Sequence, residues 1–136
     1  MKKILLLSII ALLGIVPAIA GKSKATTLTV SYVFKGIEEG YDHNTMGKLY
    51  IDDELVFETK EHKESKSQKF TVDVESGSHD ILLEIWNEYE GEWEIHNVEN
   101  NYSIDAVLEE NFRLKKGKNT LTVVFDLDDE TTYSLK

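Results

Sequence analysis

Apolar and polar residues alternate with a period of two through most of the chain. Leu28, Val30, Tyr32 and Phe34 are interleaved with Thr27, Thr29, Ser31 and Lys35. Phe70, Val72 and Val74 alternate with Thr71, Asp73 and Glu75 in the same way. Ile81, Leu83 and Ile85 make a third inward set, and Leu121, Val123, Phe125 and Leu127 a fourth. Period two is the mark of a strand with one face buried, because successive side chains point to opposite sides. Shorter candidates are Leu49-Tyr50-Ile51, Leu55-Val56-Phe57, Trp93-Glu94-Ile95, Tyr102 to Val107 and Phe112-Arg113-Leu114. Only Ala106 to Asn111 could pass for a helical turn. Short strands separated by turn signals, with a single proline in the chain, predict an all-β fold. The expected architecture is an antiparallel β-sandwich, Ig-like or jelly-roll-like, of about 7–9 short strands.

Turn residues set the expected connections. Ser76-Gly77-Ser78 and Lys116-Gly117-Lys118 each stand between two strand patterns and read as hairpin turns, with glycine supplying positive φ. Asp52-Asp53 reads as a third hairpin, and Gly91 centres a fourth between Trp86 and Trp93. Lys60 to Lys69, rich in Lys, Glu and Ser, reads as a mobile charged connection.

The N-terminus follows different rules. Lys2 and Lys3 precede an apolar run from Ile4 to Val16, broken only by Ser8 and Gly14. Pro17 ends the run, and Ala18-Ile19-Ala20 offers small residues at the positions a signal peptidase accepts. A spanning helix needs about 20 apolar residues, more than this run holds. Residues 1–20 are therefore expected to be a cleaved signal peptide and residues 21–136 a single domain. The protein is expected to be secreted or periplasmic, with no stable membrane span after cleavage.

Charge narrows the partners. Removing residues 1–20 takes away Lys2 and Lys3 and no acid. Thirteen basic residues then face 25 acidic ones, and the formal charge moves from −10 to −12. That balance argues against nucleic acid, whose binding draws mainly on Lys and Arg, and against anionic membrane surfaces. The chain has no cysteine, which excludes disulfides, thiol chemistry and Cys-based zinc sites.

One segment resembles a known family. Gly47-Lys48-Leu49-Tyr50-Ile51-Asp52-Asp53-Glu54-Leu55-Val56, then Val74 to Gly77 and His79-Asp80-Ile81-Leu82-Leu83, is similar to the PEGA-type surface β-domain. That layout runs strand, Ile-Asp-Gly, strand, then Gly-x-His-x-hydrophobic. The resemblance covers about residues 47–86. Asp53 stands where the family usually has Gly, and the intervening Thr-Pro is absent. The resemblance implies a non-enzymatic extracellular module and transfers no functional residues.

Three places hold candidate chemistry. The first is the hairpin from Trp86 to Trp93, which gathers both tryptophans of the chain and Tyr89 around Gly91. Trp86 falls on the face opposite Ile81, Leu83 and Ile85. Exposed rings beside amide and carboxylate groups suit a sugar, since the ring takes C–H faces and the polar groups take hydroxyls. Trp86, Asn87, Tyr89 and Trp93 are therefore the candidate ligand-binding residues; the competing reading is that the rings cap the core. The second place is the acidic run containing Asp126, Asp128 and Asp129, which could supply hard oxygens to calcium. A solvated edge that discourages strand pairing is the favoured reading there. The third is Glu92, Glu94 and His96, which share one strand face and could act as metal ligands or an acid/base pair. His43, His62 and His79 are scattered and show no ligand spacing. Asn101-Tyr102-Ser103 matches a glycosylation sequon.

The sequence thus points to a secreted, non-catalytic binding module. Carbohydrate or a cell-surface glycan is the leading ligand, held by the aromatic hairpin. The alternative is a protein-interaction or structural module with an extracellular protein as partner, and a small glycosidase or metalloenzyme stands third. No cofactor is expected apart from the calcium considered above.

Overall fold

A computed structural model describes residues 25–136, so the expected signal peptide of residues 1–20 lies outside the described residues. The described chain forms ten strands: β1 (Thr27–Lys35), β2 (Asn44–Ile51), β3 (Glu54–Glu58), β4 (His62–Lys63), β5 (Gln68–Asp73), β6 (Gly77–Tyr89), β7 (Glu92–Ile95), β8 (Val107–Leu114), β9 (Lys118–Asp126) and β10 (Thr131–Leu135). They make two sheets. One has the order β10-β9-β1-β5; the other has the order β3-β2-β6-β7, with β4 also on β2 and β8 also on β6. The fold is an all-β sandwich. Every pairing is antiparallel except β1 with β9, which run parallel from Thr27↔Lys118 to Lys35↔Asp126. No helix among the described residues is long and apolar enough to cross a membrane.

The alternating residues meet between the sheets. Leu28, Val30, Tyr32 and Phe34 of β1 and Leu121, Val123 and Phe125 of β9 are buried from one side. Leu49, Ile51, Ile81, Leu83, Ile85, Leu108, Phe112 and Leu114 are buried from the other. This contiguous apolar layer supplies the main driving force for folding. Gly47 allows the two sheets to approach: a Cβ there would stand 2.6 Å from the Tyr32 hydroxyl. Burial raises the pKa of that phenol above its ordinary value.

Two expected hairpins prove to be crossings. Gly77 joins β5 in one sheet to β6 in the other, and Gly117 likewise joins β8 to β9. Both glycines do take positive φ, 120° and 99°. An arch between sheets buries the same alternate residues as a hairpin within one, so periodicity alone cannot separate them. The other two turns are hairpins: Asp52 and Asp53 (φ 52° and 69°) link β2 to β3, and Glu90 and Gly91 (φ 50° and 83°) link β6 to β7. Ala106 to Asn111 is no helical turn, since Val107 opens β8. Strand β10 has no counterpart among the expected strands.

The long strand β6 organises one end of the molecule. Residues 77–84 pair with β8, and residues 86–89 pair with β7. Between these partners the chain leaves the sheet from His96 to Ala106. The excursion is closed at its base by bonds from His96 N to Ile85 O (2.8 Å), Ile85 N to Ala106 O (3.1 Å) and Ala106 N to His96 O (2.8 Å).

Candidate functional site

The excursion is built to hold its shape. Asn97 caps a short 3-10 turn over Val98–Asn100, its side chain accepting from Asn100 N, and Asn101 closes the turn with φ 69°. Asn tolerates this left-handed conformation better than most residues. Asn100 Nδ2 donates to Ile95 O at 2.8 Å, and Asp105 Oδ1 accepts from Val98 N at 2.9 Å. The chain then returns with Tyr102 lying flat on His96, ring centroids 4.2 Å apart. Phe34 approaches the His96 ring at 5.4 Å, and the imidazole is nearly buried.

A second loop meets it from the other side. Lys60 to Lys69 is tied down rather than free. Glu64 N donates to His43 O at 3.0 Å, and Asp42 accepts from Ser65 N and Ser65 Oγ at 3.0 and 2.7 Å. The Ser65 hydroxyl bond holds the Asp42 carboxyl below its usual range. The loop thereby drives Glu64 into the protein, where its side chain is only 1% exposed. Asn87 Nδ2 donates to Glu64 Oε2 at 2.6 Å, and His96 Nδ1 lies 2.9 Å from the same oxygen. His43 Nδ1 stands 3.7 Å from the other oxygen. Thr45 Oγ1 completes the group, donating to Trp86 O and within 3.0 Å of Asn87 Oδ1. A buried carboxylate is tolerable only with such donors around it.

Of these residues, Glu64, His96 and His43 line a cleft of about 600 Å³. Tyr102 donates to Glu94 Oε2 at 2.8 Å across its wall; burial and then that carboxylate push the phenol above its ordinary pKa, so it stays a donor. Tyr41 and Tyr89, 62% and 54% exposed, stand among the lining residues. Among the described residues, two buried side-chain nitrogens have no hydrogen-bond partner, His96 Nε2 and His43 Nδ1, and both belong to residues lining this cleft. Unpartnered buried polar atoms are rare enough to demand a cause.

The candidate hairpin is divided by its own strand geometry. Pairing Trp86↔Ile95 and Glu88↔Trp93 puts both tryptophans on the outer face of the sheet, and Asn87↔Glu94 and Tyr89↔Glu92 face inward. Tyr89 lines the cleft. Asn87 is fully buried beneath it, serving Glu64. Trp86 is half-buried outside, with Nε1 donating to Glu84 at 3.1 Å and Lys48 Nζ 4.1 Å above its ring. Trp93, also half-buried, sits diagonally across from it. The four residues do not converge on one surface.

The other candidates separate similarly. Of the third set, Glu94 and His96 line the cleft and Glu92 does not. In the acidic run, Asp126 Oδ1 accepts from Asp128 N at 3.0 Å, and Asp129 N donates to Asp126 O at 3.1 Å. Asp126 caps its own turn, and Asp128 reaches the cleft wall beside Gly36. No group of three or more His, Cys, Asp or Glu among the described residues is placed to share a metal ion. Sequence reasoning missed Glu64, His43 and Tyr102. Nothing in the sequence sets Glu64 apart from Glu61 in a charged loop that reads as a mobile connection.

No protein-family model matches the chain, and no curated protein matches it significantly. Similar solved structures include a "putative cell adhesion protein" from Bacteroides ovatus ATCC 8483, with TM-score 0.43 and 13% identity over 83% of this chain and 44% of that one. A Gram-negative toxin (TM-score 0.29, 9% identity) and listeriolysin O (TM-score 0.29, 12% identity) match 83% and 81% of this chain and 23% and 22% of theirs. The chain spans less than half the length of each. Likenesses this distant carry no functional argument.

Proposed function

We propose that the protein is an exported, non-catalytic binding module that holds a carbohydrate or cell-surface glycan in the cleft at the end of its sandwich. Export rests on the Lys2 to Ala20 pattern. The ligand class rests on the mix of surfaces in the cleft. Exposed tyrosine rings offer faces to sugar C–H groups, while Glu94, Asn100 and His96 offer partners to hydroxyls. The observation that carries the reading is His96. In the neutral tautomer that donates Nδ1–H to the Glu64 carboxylate, Nε2 carries a lone pair without a partner. The ring is packed between Phe34 and Tyr102, so this acceptor is fixed in place, as a binding site requires.

Retention on immobilised oligosaccharides tests the assignment. Tyr89→Ala should lower retention by about five- to tenfold, the worth of one stacked ring. Trp93→Ala, on the other side of the sheet, should change it by less than about twofold. The reverse ranking would move the site to the outer face.

A further inference from the structure

We infer that the glycan bound in this cleft carries a protonated amine, making a deacetylated amino sugar its preferred ligand; this rests on the glycan reading above. Among the described residues, five carboxylates line the cleft, from Glu38, Glu64, Glu94, Glu99 and Asp128, and no lysine or arginine does. They come from four separate parts of the chain, so the fold gathers them and no local acidic run accounts for them. Charge alone would make only an acidic hollow. The second observation is the unpartnered His96 Nε2, on a side chain 3% exposed. With the neutral imidazole donating Nδ1–H to Glu64, Nε2 is an acceptor, and an acceptor at that depth asks for a donor. An ammonium group brings three N–H donors and no acceptor, whereas an acetamido group at the same position brings one N–H and a carbonyl oxygen. That carbonyl would face carboxylate oxygens with no proton to share.

The rings point the same way. Tyr41, Tyr89 and Tyr102 line the cavity, and a cation over a tyrosine face is attracted by the ring quadrupole. Glu94 is held by the Tyr102 hydroxyl, which fixes a carboxylate at the wall and spares the ligand the cost of ordering it. A neutral sugar would gain from the stacking and from hydroxyls donating to the carboxylates, but it brings no positive charge to balance them. An anionic sugar would be repelled.

Calorimetric titration with a glucosamine tetramer and its fully N-acetylated counterpart, at pH about 7, tests the inference. The deacetylated tetramer should bind at least about tenfold more tightly, and the preference should shrink as salt is raised. Glu94→Gln/Glu99→Gln should bring the two ligands within about threefold while keeping an acceptor for Tyr102. Should that variant melt early, Glu38→Gln/Asp128→Asn, on exposed segments, should erode the preference in the same direction. Equal affinities for the two tetramers would overturn the inference and leave the glycan reading standing. Binding of neither by the folded protein would overturn both. A preference indifferent to salt and to both variants would place the amine outside this cleft and overturn the assignment.

Discussion

The β6–β7 ribbon has two faces that share a backbone and differ in almost everything else. Outside, Trp86 and Trp93 lie half-buried on a sheet surface, one of them under the Lys48 ammonium and bonded to Glu84. Inside, the alternate residues Asn87, Glu94 and Tyr89 meet two loops and line or floor a cleft. Large aromatics attract attention in a sequence, yet here Trp86 already has local partners. On the inner side, His96 and His43 beside the ribbon hold the unpartnered atoms. A buried donor or acceptor without a partner says more about a ligand than an exposed ring, because surface apolar residues are common and orphaned polar atoms are not.

Stability should divide the faces most sharply. Glu64→Ala strips Asn87 and His96 of their shared acceptor inside the protein and should cost about 3–5 kcal/mol, as for one partner removed from a buried pair. Trp93→Ala removes only part of a buried ring and should cost about 1–2 kcal/mol at the usual value per unit apolar area. Urea unfolding of the two variants measures both. A Trp93→Ala loss as large as that of Glu64→Ala would make the outer ring core, and the contrast between the faces would fail.

A smaller effect comes from the opposite end of the sandwich, where a polar cluster has all its partners. His79 Nδ1 lies 2.7 Å from Asp52 Oδ2, and Nε2 lies 2.7 Å from Glu75 O. The Asp52 carboxylate raises the His79 pKa, and the His79 bond lowers that of Asp52. The histidine's contribution is complete below the ordinary value of about 6.5 and is lost as pH rises through its raised value. The aspartate's contribution is present above about 3.9 and is lost as pH falls through its lowered value. The pair therefore stabilises most between about pH 4 and 6.5. The gap in urea midpoint between parent and His79→Ala should narrow from pH about 6 to pH about 9. A gap that widened over that range would refute the pairing.

Local pattern revealed the strands and the faces of their residues. Trp86 opposite Ile85, and Glu94 with His96 opposite Trp93 and Ile95, follow from period two alone. Pattern does not report which sheet a strand joins, so the turns at Gly77 and Gly117 looked like hairpins. Nor does it report what a loop carries inward. Glu64 and His96 are 32 residues apart, and a charged stretch such as Lys60 to Lys69 has the composition of a solvated connection. Glu64 is buried because Asp42 and the His43 carbonyl anchor its neighbours. Those contacts continue the β2–β4 pairing of Asn44↔Lys63 and Thr45↔His62. Asp53 takes φ 69°, so the Asp52-Asp53 hairpin reaches the left-handed region without glycine.

The central claim is that the ligand enters the inner cleft and leaves the outer aromatic face untouched. NMR of the labelled protein during titration with an oligosaccharide reports on both at once, since the two tryptophan indole N–H groups give signals of their own. The imidazole signals of His43 and His96 and the ring signals of Tyr89 and Tyr102 should shift with added ligand, while the Trp86 and Trp93 indole signals stay in place. Indole shifts with a silent cleft would contradict the account.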